Sequence, residues 1–295
     1  MSGLLGTGGN DTITSSFVSS GVIGGVPGTL NDTIFGAGGN DFLNGGAGVD
    51  IISGGEGNDT LTGEGGNDSL LGDSGLDWVS YSFVVDTSAG VTVNLATGFA
   101  FGSGVGSDTL SGIENVIGGD GNDSIIGNDI ANELSGANGN DTLDGGNGND
   151  TLIGGLGDDS LDGGNGSDWA SYAGATAAIT IDLNANSSAG EHGTDALRNI
   201  ENVLGGNGND SIIGNDIANE LSGSDGNDTL LGGLGDDTLD GGDGTDLASY
   251  TGATDAITVN LATGSSAGQH GNDVLSSIEN VLGGDGNDSI IGNAS

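Results

Sequence analysis

Large apolar residues stand along this chain one at a time, at a fixed interval. Leu43, Ile52, Leu61 and Leu70 lie nine apart, and so do Ile125, Leu134, Leu143, Leu152 and Leu161. A single apolar position between polar neighbours is the inward residue of a very short strand. Three other segments show true period-two alternation: Val91, Val93 and Leu95; Ile179, Ile181 and Leu183; Ile257, Val259 and Leu261. These predict half-buried strands. No 3.6-residue apolar pattern persists for three turns, and glycine every few residues costs about 1 kcal/mol each in a helix interior. The expected class is all-β.

The apolar interval belongs to a nine-residue unit, G-G-x-G-x-D-x-U-x with U apolar. It reads GGEGNDTLT at 54–62, GGNGNDTLI at 145–153, GGLGDDTLD at 232–240 and GGDGNDSII at 283–291. A fixed internal period decides the architecture before any other signal. The chain divides into an N-terminal unit and insertion (1–26) and repeat blocks at 27–80, 118–171, 205–249 and 283–295. Spacers at 81–117, 172–204 and 250–282 separate the blocks, and each begins at a tyrosine. Each spacer also carries a D-x-L unit (Asp108, Asp195, Asp273) and a tetrapeptide of the type I-E-N-V (113–116, 200–203, 278–281). Residues 118–136 and 205–223 differ only at Asp120 against Asn207, the mark of a duplication.

Glycine at positions one, two and four permits a tight turn with positive φ. Two units make one flattened coil, so residue i stacks on i+18 with coils about 4.8 Å apart. This stacking places the position-six aspartates in columns: Asp41, Asp59 and Asp77 facing Asp50 and Asp68; Asp123, Asp141 and Asp159 facing Asp150 and Asp168; Asp210, Asp228 and Asp246 facing Asp237. Carboxylates at strand spacing repel unless a cation lies between them. Glycine turns expose carbonyl oxygens, and calcium takes roughly 6–8 oxygen ligands in irregular geometry. Zinc or copper would want His or Cys, yet the chain has two histidines and no cysteine.

Composition agrees. There are 43 acidic residues against one basic residue, Arg198, for a formal charge of −42. Such a chain repels nucleic acid and anionic membranes, so the expected partners are calcium ions, with no nucleic acid and no membrane insertion. Absence of cysteine excludes disulfides. The N-terminus lacks the pattern of a secretory signal peptide.

The unit resembles the RTX (repeats-in-toxin) nonapeptide, a calcium-binding β-helix repeat. The resemblance implies a parallel β-roll with β spacer segments and several Ca²⁺ ions as cofactor. It implies as ligands Asp11, Asp41, Asp50, Asp59, Asp68, Asp77, Asp123, Asp141, Asp150, Asp159, Asp168, Asp210, Asp228, Asp237, Asp246 and Asp288. To these it adds turn carbonyls such as those of Gly39, Gly48, Gly57, Gly66, Gly139, Gly148, Gly157, Gly226 and Gly235. Asn132 and Asn219 replace the aspartate, and Ile130 and Ile217 the glycine, in two units expected to bind calcium weakly if at all. Asp32, Asp108, Asp195 and Asp273 are weaker ligand candidates. Resemblance also implies type I secretion to an extracellular or cell-surface location.

Other signals read as bystanders. His192 and His270 occupy equivalent spacer positions, and Trp78 and Trp169 precede the spacer tyrosines, where they suit a seam cover. G-S-S-A-G at 264–268 matches a nucleophile elbow in letters, but no helix follows it. The N-D-[ST] sequons fall out of the repeat. The expected function is a calcium-folded structural module without a catalytic site. The alternatives are an adhesion or surface-array protein, or the non-catalytic repeat part of an exported enzyme or toxin. The last unit stops without the polar cap a solenoid end needs, which suggests self-association through uncapped roll ends.

Overall fold

The computed structural model describes residues 3–14, 27–85 and 90–293. The insertion at 15–26 lies outside the described residues. The chain forms two compact units, Met1–Asp150 and Thr151–Ser295. Among the described residues there is no helix, as the sequence pattern predicts.

In the first unit, strands on one face stack in the order Gly3–Leu5, Thr33–Gly38, Ile51–Glu56 and Ser69–Ser74. On the other face stack Thr12–Ile13, Phe42–Asn44, Thr60–Thr62 and Trp78–Ser80. All pairs are parallel, and the register is the expected eighteen: Thr33 lies opposite Ile51 and Ile51 opposite Ser69. The two rungs flanking the insertion keep the ladder, with Leu4 opposite Ile34 and Thr12 opposite Phe42.

The core is a file of single residues from both faces. Ile34, Leu43, Ile52, Leu61, Leu70 and Val79 are wholly buried in the first unit, as are Leu152, Ile212, Leu221, Leu230 and Leu239 in the second. Each such side chain contributes about 1.5–3 kcal/mol by leaving water. A core one residue wide is thin, so a coil is stable only against its neighbours.

Spacers enter the roll as antiparallel insertions, which the alternation alone does not reveal. In the first unit, Gly106–Ser111 lies parallel to Ser69–Ser74, then antiparallel to Phe99–Gly102. Phe99–Gly102 is antiparallel to Val91–Asn94, which returns to parallel pairing with Ser124–Ile126. On the opposite face the spacer adds a single rung, Asn115–Ile117, between Trp78–Ser80 and Glu133–Asn138.

The second unit repeats the device twice on opposite faces. The hairpin Thr180–Asp182 and Ser187–Ala189 joins the face of Ser160–Asn165, through Ala196–Arg198. The hairpin Thr258–Asn260 and Ser265–Ala267 joins the other face, beside Thr238–Asp240, through Val274–Ser276. Between these spacers the block 205–249 holds five nonapeptides, an odd number of half-coils. One half-coil too few puts the next spacer on the other sheet.

Candidate metal centres

The position-six aspartates form the columns read from the eighteen-residue stacking. Within a block, the backbone N–H of one aspartate donates to Oδ1 of the aspartate one coil further on. Asp41 donates to Asp59 at 2.8 Å and Asp59 to Asp77 at 2.7 Å. On the other side Asp50 donates to Asp68 at 2.8 Å. Asp123 donates to Asp141, Asp210 to Asp228 and Asp228 to Asp246, each at 2.7 Å. Asp11 joins its column by donating to Asp41 at 2.6 Å, across the insertion. All the candidate aspartates are buried except Asp288, which is half-buried and accepts the Ile257 N–H.

The second carboxylate oxygen divides these residues into three groups. In block interiors it has no hydrogen-bond donor: Oδ2 of Asp41, Asp50, Asp59, Asp68, Asp77, Asp228, Asp237 and Asp246 is buried and unpartnered. At the start of a column it accepts the N–H four residues back. Asp123 Oδ2 takes Gly119 N–H at 2.7 Å, Asp210 Oδ2 takes Gly206 N–H at 2.8 Å, and Asp11 Oδ2 takes Thr7 N–H at 2.6 Å. Asn132 and Asn219 do the same with Oδ1 toward Asn128 and Asn215, while Nδ2 donates to the carbonyls of Glu114 and Glu201.

The third group is in the spacers. Asp108, Asp195 and Asp273 continue the columns, accepting the N–H of Asp68, Asp159 and Asp237. Their Oδ2 atoms accept the hydroxyls of Tyr81, Tyr172 and Tyr250 at 3.2, 2.9 and 3.0 Å. Ser188 and Ser266 add a second donor to Asp195 and Asp273, both at 2.7 Å. Burial and the adjacent aspartates push the tyrosine hydroxyls well up, so they stay protonated donors. Asp32 also sits in a column, donating to Asp50 and accepting Gly28 N–H.

The interior oxygens face a built cradle. Each lies against the α-carbon of the glycine five residues earlier. A Cβ at Gly36, Gly45, Gly54, Gly63 or Gly232 would strike Oδ2 of Asp41, Asp50, Asp59, Asp68 or Asp237. At Gly36 the carbonyl oxygen of Gly54 faces the same point, and at Gly223 that of Gly241 does, beside Asp228 Oδ2. Position four contributes a second row of carbonyls. Those of Gly39, Gly48, Gly57, Gly66, Gly157, Gly226 and Gly235 each abut the equivalent glycine of the next coil, and Gly57 accepts this approach at a φ of 125°. Gly139 and Gly148 share that conformation, packed on the carbonyls of Gly121 and Ile130.

Burial pushes the interior carboxyls up, and neighbouring aspartates add to it. Asp68 and Asp237 reach about 7. Asp41, Asp77 and Asp228 reach about 6. Oxygen acceptors gathered without donors and costly to ionise fit a hard cation. Among the described residues no three His, Cys, Asp or Glu side chains converge on one point. The side chains therefore make no cage alone, and main-chain oxygens must complete any shell of the size calcium takes.

The sequence reading did not single out Glu114, Glu201 and Glu279 as column members. Their Oε2 atoms accept the N–H of Asp77, Asp168 and Asp246 at 2.9, 3.0 and 2.9 Å, filling the place of the next aspartate. The signal was their identical position in all three spacers. His192 and His270 lie 6.1 Å from the rings of Tyr172 and Tyr250. The buried Val105 stands at the matching spacer position, before the glycine that precedes the D-x-L unit. Trp78 and Trp169 pair with Asn115 and Asn202, at the junction of block and spacer.

An all-β roll with parallel coils of nonapeptides, carboxylate columns and glycine carbonyls defines a calcium-binding repeat protein. The model of the RTX calcium-binding nonapeptide repeat matches residues 28–61, 45–79, 108–129, 135–170, 199–216, 213–248 and 275–295, more than half the chain. The chain belongs to this family, whose repeats bind multiple calcium ions. No curated protein matches it. Among the described residues no helix is long and apolar enough to cross a membrane.

Proposed function

We propose that the chain is a calcium-folded structural module that acts outside the cell and carries no catalytic site. Its ligands are the block-interior aspartates Asp41, Asp50, Asp59, Asp68, Asp77, Asp141, Asp150, Asp159, Asp168, Asp228, Asp237 and Asp246, with the turn carbonyls of positions one and four. The unpartnered, buried Oδ2 atoms of Asp41, Asp50, Asp59, Asp68, Asp77, Asp228, Asp237 and Asp246 carry this reading. Asp123 and Asp210, whose carboxylates are hydrogen-bonded on both oxygens, and Asp11, whose Oδ2 takes both the N–H and the hydroxyl of Thr7, bind calcium weakly or not at all.

With a formal charge of −42 and a one-residue-wide core, repulsion and chain entropy together outweigh burial in the metal-free state. Calcium neutralises the columns, so binding and folding are one event. Extracellular modules of this kind bind at about 10⁻⁴–10⁻³ M, which keeps the chain open in a cytosol and folds it after export. Circular dichroism of the whole chain should show coil in chelator and β structure in millimolar calcium. Full β structure in chelator sinks the reading.

A further inference from the structure

Each block meets its spacer at an aspartate–glutamate pair that the nonapeptide pattern does not contain. We propose that these three seams are divalent-cation sites in their own right, held by Asp77 with Glu114, Asp168 with Glu201 and Asp246 with Glu279. The inference rests on the reading that the column carboxylates bind calcium.

The glutamate grips the aspartate's backbone from both sides. Glu114, Glu201 and Glu279 donate N–H to the carbonyls of Asp77, Asp168 and Asp246 at 3.2, 3.2 and 3.3 Å. One carboxylate oxygen of each takes the same aspartate's N–H. The other is the oxygen offered to a cation. Asp77 and Asp246 are wholly buried with Oδ2 unpartnered, so these two seams already hold an acceptor that lacks a donor.

A third oxygen is aimed at the same place. A Cβ at Gly72 would strike both Asp77 Oδ2 and the Gly112 carbonyl, and one at Gly241 both Asp246 Oδ2 and the Ser277 carbonyl. At Gly163 the Asn199 carbonyl and the Asp168 side chain meet in the same way. Gly112, Asn199 and Ser277 each stand two residues before the glutamate, at φ of 62°, 48° and 51°. Ser adopts this left-handed region less readily than Gly or Asn, and all three spacers share it. A cavity of about 250 Å³ lies against Glu201, Asn199 and Ile200, and one of about 140 Å³ against Glu114, Gly112 and Ile113. Two carboxylates and a carbonyl are hard oxygen donors, which select calcium over softer metals.

The test counts calcium ions per chain by equilibrium dialysis on the full protein and on the triple variant E114Q/E201Q/E279Q. Glutamine keeps the acceptor for the aspartate N–H and removes the charge. The variant should lose three ions. Terbium emission sensitised by Trp78 and Trp169, which directly follow Asp77 and Asp168, should fall at least twofold. An unchanged count overturns the seam sites and leaves the column reading standing. A wild-type chain that binds no calcium overturns both. If the triple variant fails to fold in calcium, each single variant should lose one ion, and single variants that lose none overturn the proposal.

Discussion

The coil around Asp50 and Asp59 and the coil around Asp123 and Asn132 occupy equivalent places in the repeat but close in different ways. In the first, both aspartates accept one N–H on Oδ1 and leave Oδ2 buried without a donor. In the second, Asp123 turns its second oxygen, and Asn132 its only side-chain oxygen, onto the N–H four residues back. The turn chemistry explains the divergence. In the interior coil the turn itself joins the ladder, with Ala37 opposite Gly55 and Gly55 opposite Asp73. In the coil after the spacer, the amides at Gly119 and Asn128 turn inward to the side chain. One coil is finished by hydrogen bonds; the other leaves two buried acceptors open.

The largest test of this contrast is a matched pair of substitutions. Asp59→Asn removes a charge from an oxygen that has no donor, and should raise the calcium midpoint on the order of a hundredfold, about 2.8 kcal/mol. Asp123→Asn keeps the acceptor used by Gly119 but gives up the one that takes the Val91 N–H, and should move it less than about tenfold, about 1.4 kcal/mol. Calcium titrations followed by circular dichroism measure both. Equal shifts would mean that the two coils bind alike.

Acid should act on the interior coils first. Their carboxyls are raised in the folded chain, Asp68 and Asp237 to about 7 and Asp41, Asp77 and Asp228 to about 6. An acid whose folded value is raised contributes stability that is fully present below its unfolded value, near 3.9. That contribution is lost as pH rises through the folded value. The metal-free chain should therefore hold more β structure near pH 4 than at pH 8, with the loss falling between about 5 and 7. Protons also compete with calcium, so the midpoint should rise as pH drops below 7. Metal-free spectra that do not change over this range would remove burial as the source of the calcium requirement.

The contrast was partly legible in the sequence. The nine-residue beat gives the register, because one inward apolar residue per unit permits only one stacking, and the columns follow from it. Asn132 and Asn219 marked, by their letters alone, units whose side chain closes on a backbone N–H. What the beat hides is everything that departs from it. The hairpins pair antiparallel because the spacer must leave and rejoin the same sheet, and alternation at Val91 and Val93 cannot tell parallel from antiparallel. Asp123 and Asp59 occupy identical motif positions; only the hydrogen-bond partners of their turns separate them. Glu114 lies outside the motif, so its place in a column depends on a three-dimensional return of the chain.

The spacers allow the smallest and sharpest comparison, since they close carboxylates without an ion. Tyr81 is the side-chain donor to Asp108 Oδ2, and Ala100 stands opposite Asp108. In the second spacer Tyr172 shares Asp195 with Ser188. Removing a donor from a buried acceptor costs about 1–3 kcal/mol when nothing replaces it, and a shared hydrogen bond contributes about 0.5–1.5 kcal/mol. Tyr81→Phe should therefore lower thermal stability in saturating calcium by about 1.5 kcal/mol, and Tyr172→Phe by about half as much. Adding Ser188→Ala to Tyr172→Phe should bring the second spacer to the level of the first. Because these oxygens already have donors, the calcium count should stay the same in all three variants. A lost ion in Tyr81→Phe would place a metal at Asp108 and erase the distinction between coils closed by hydrogen bonds and coils closed by calcium.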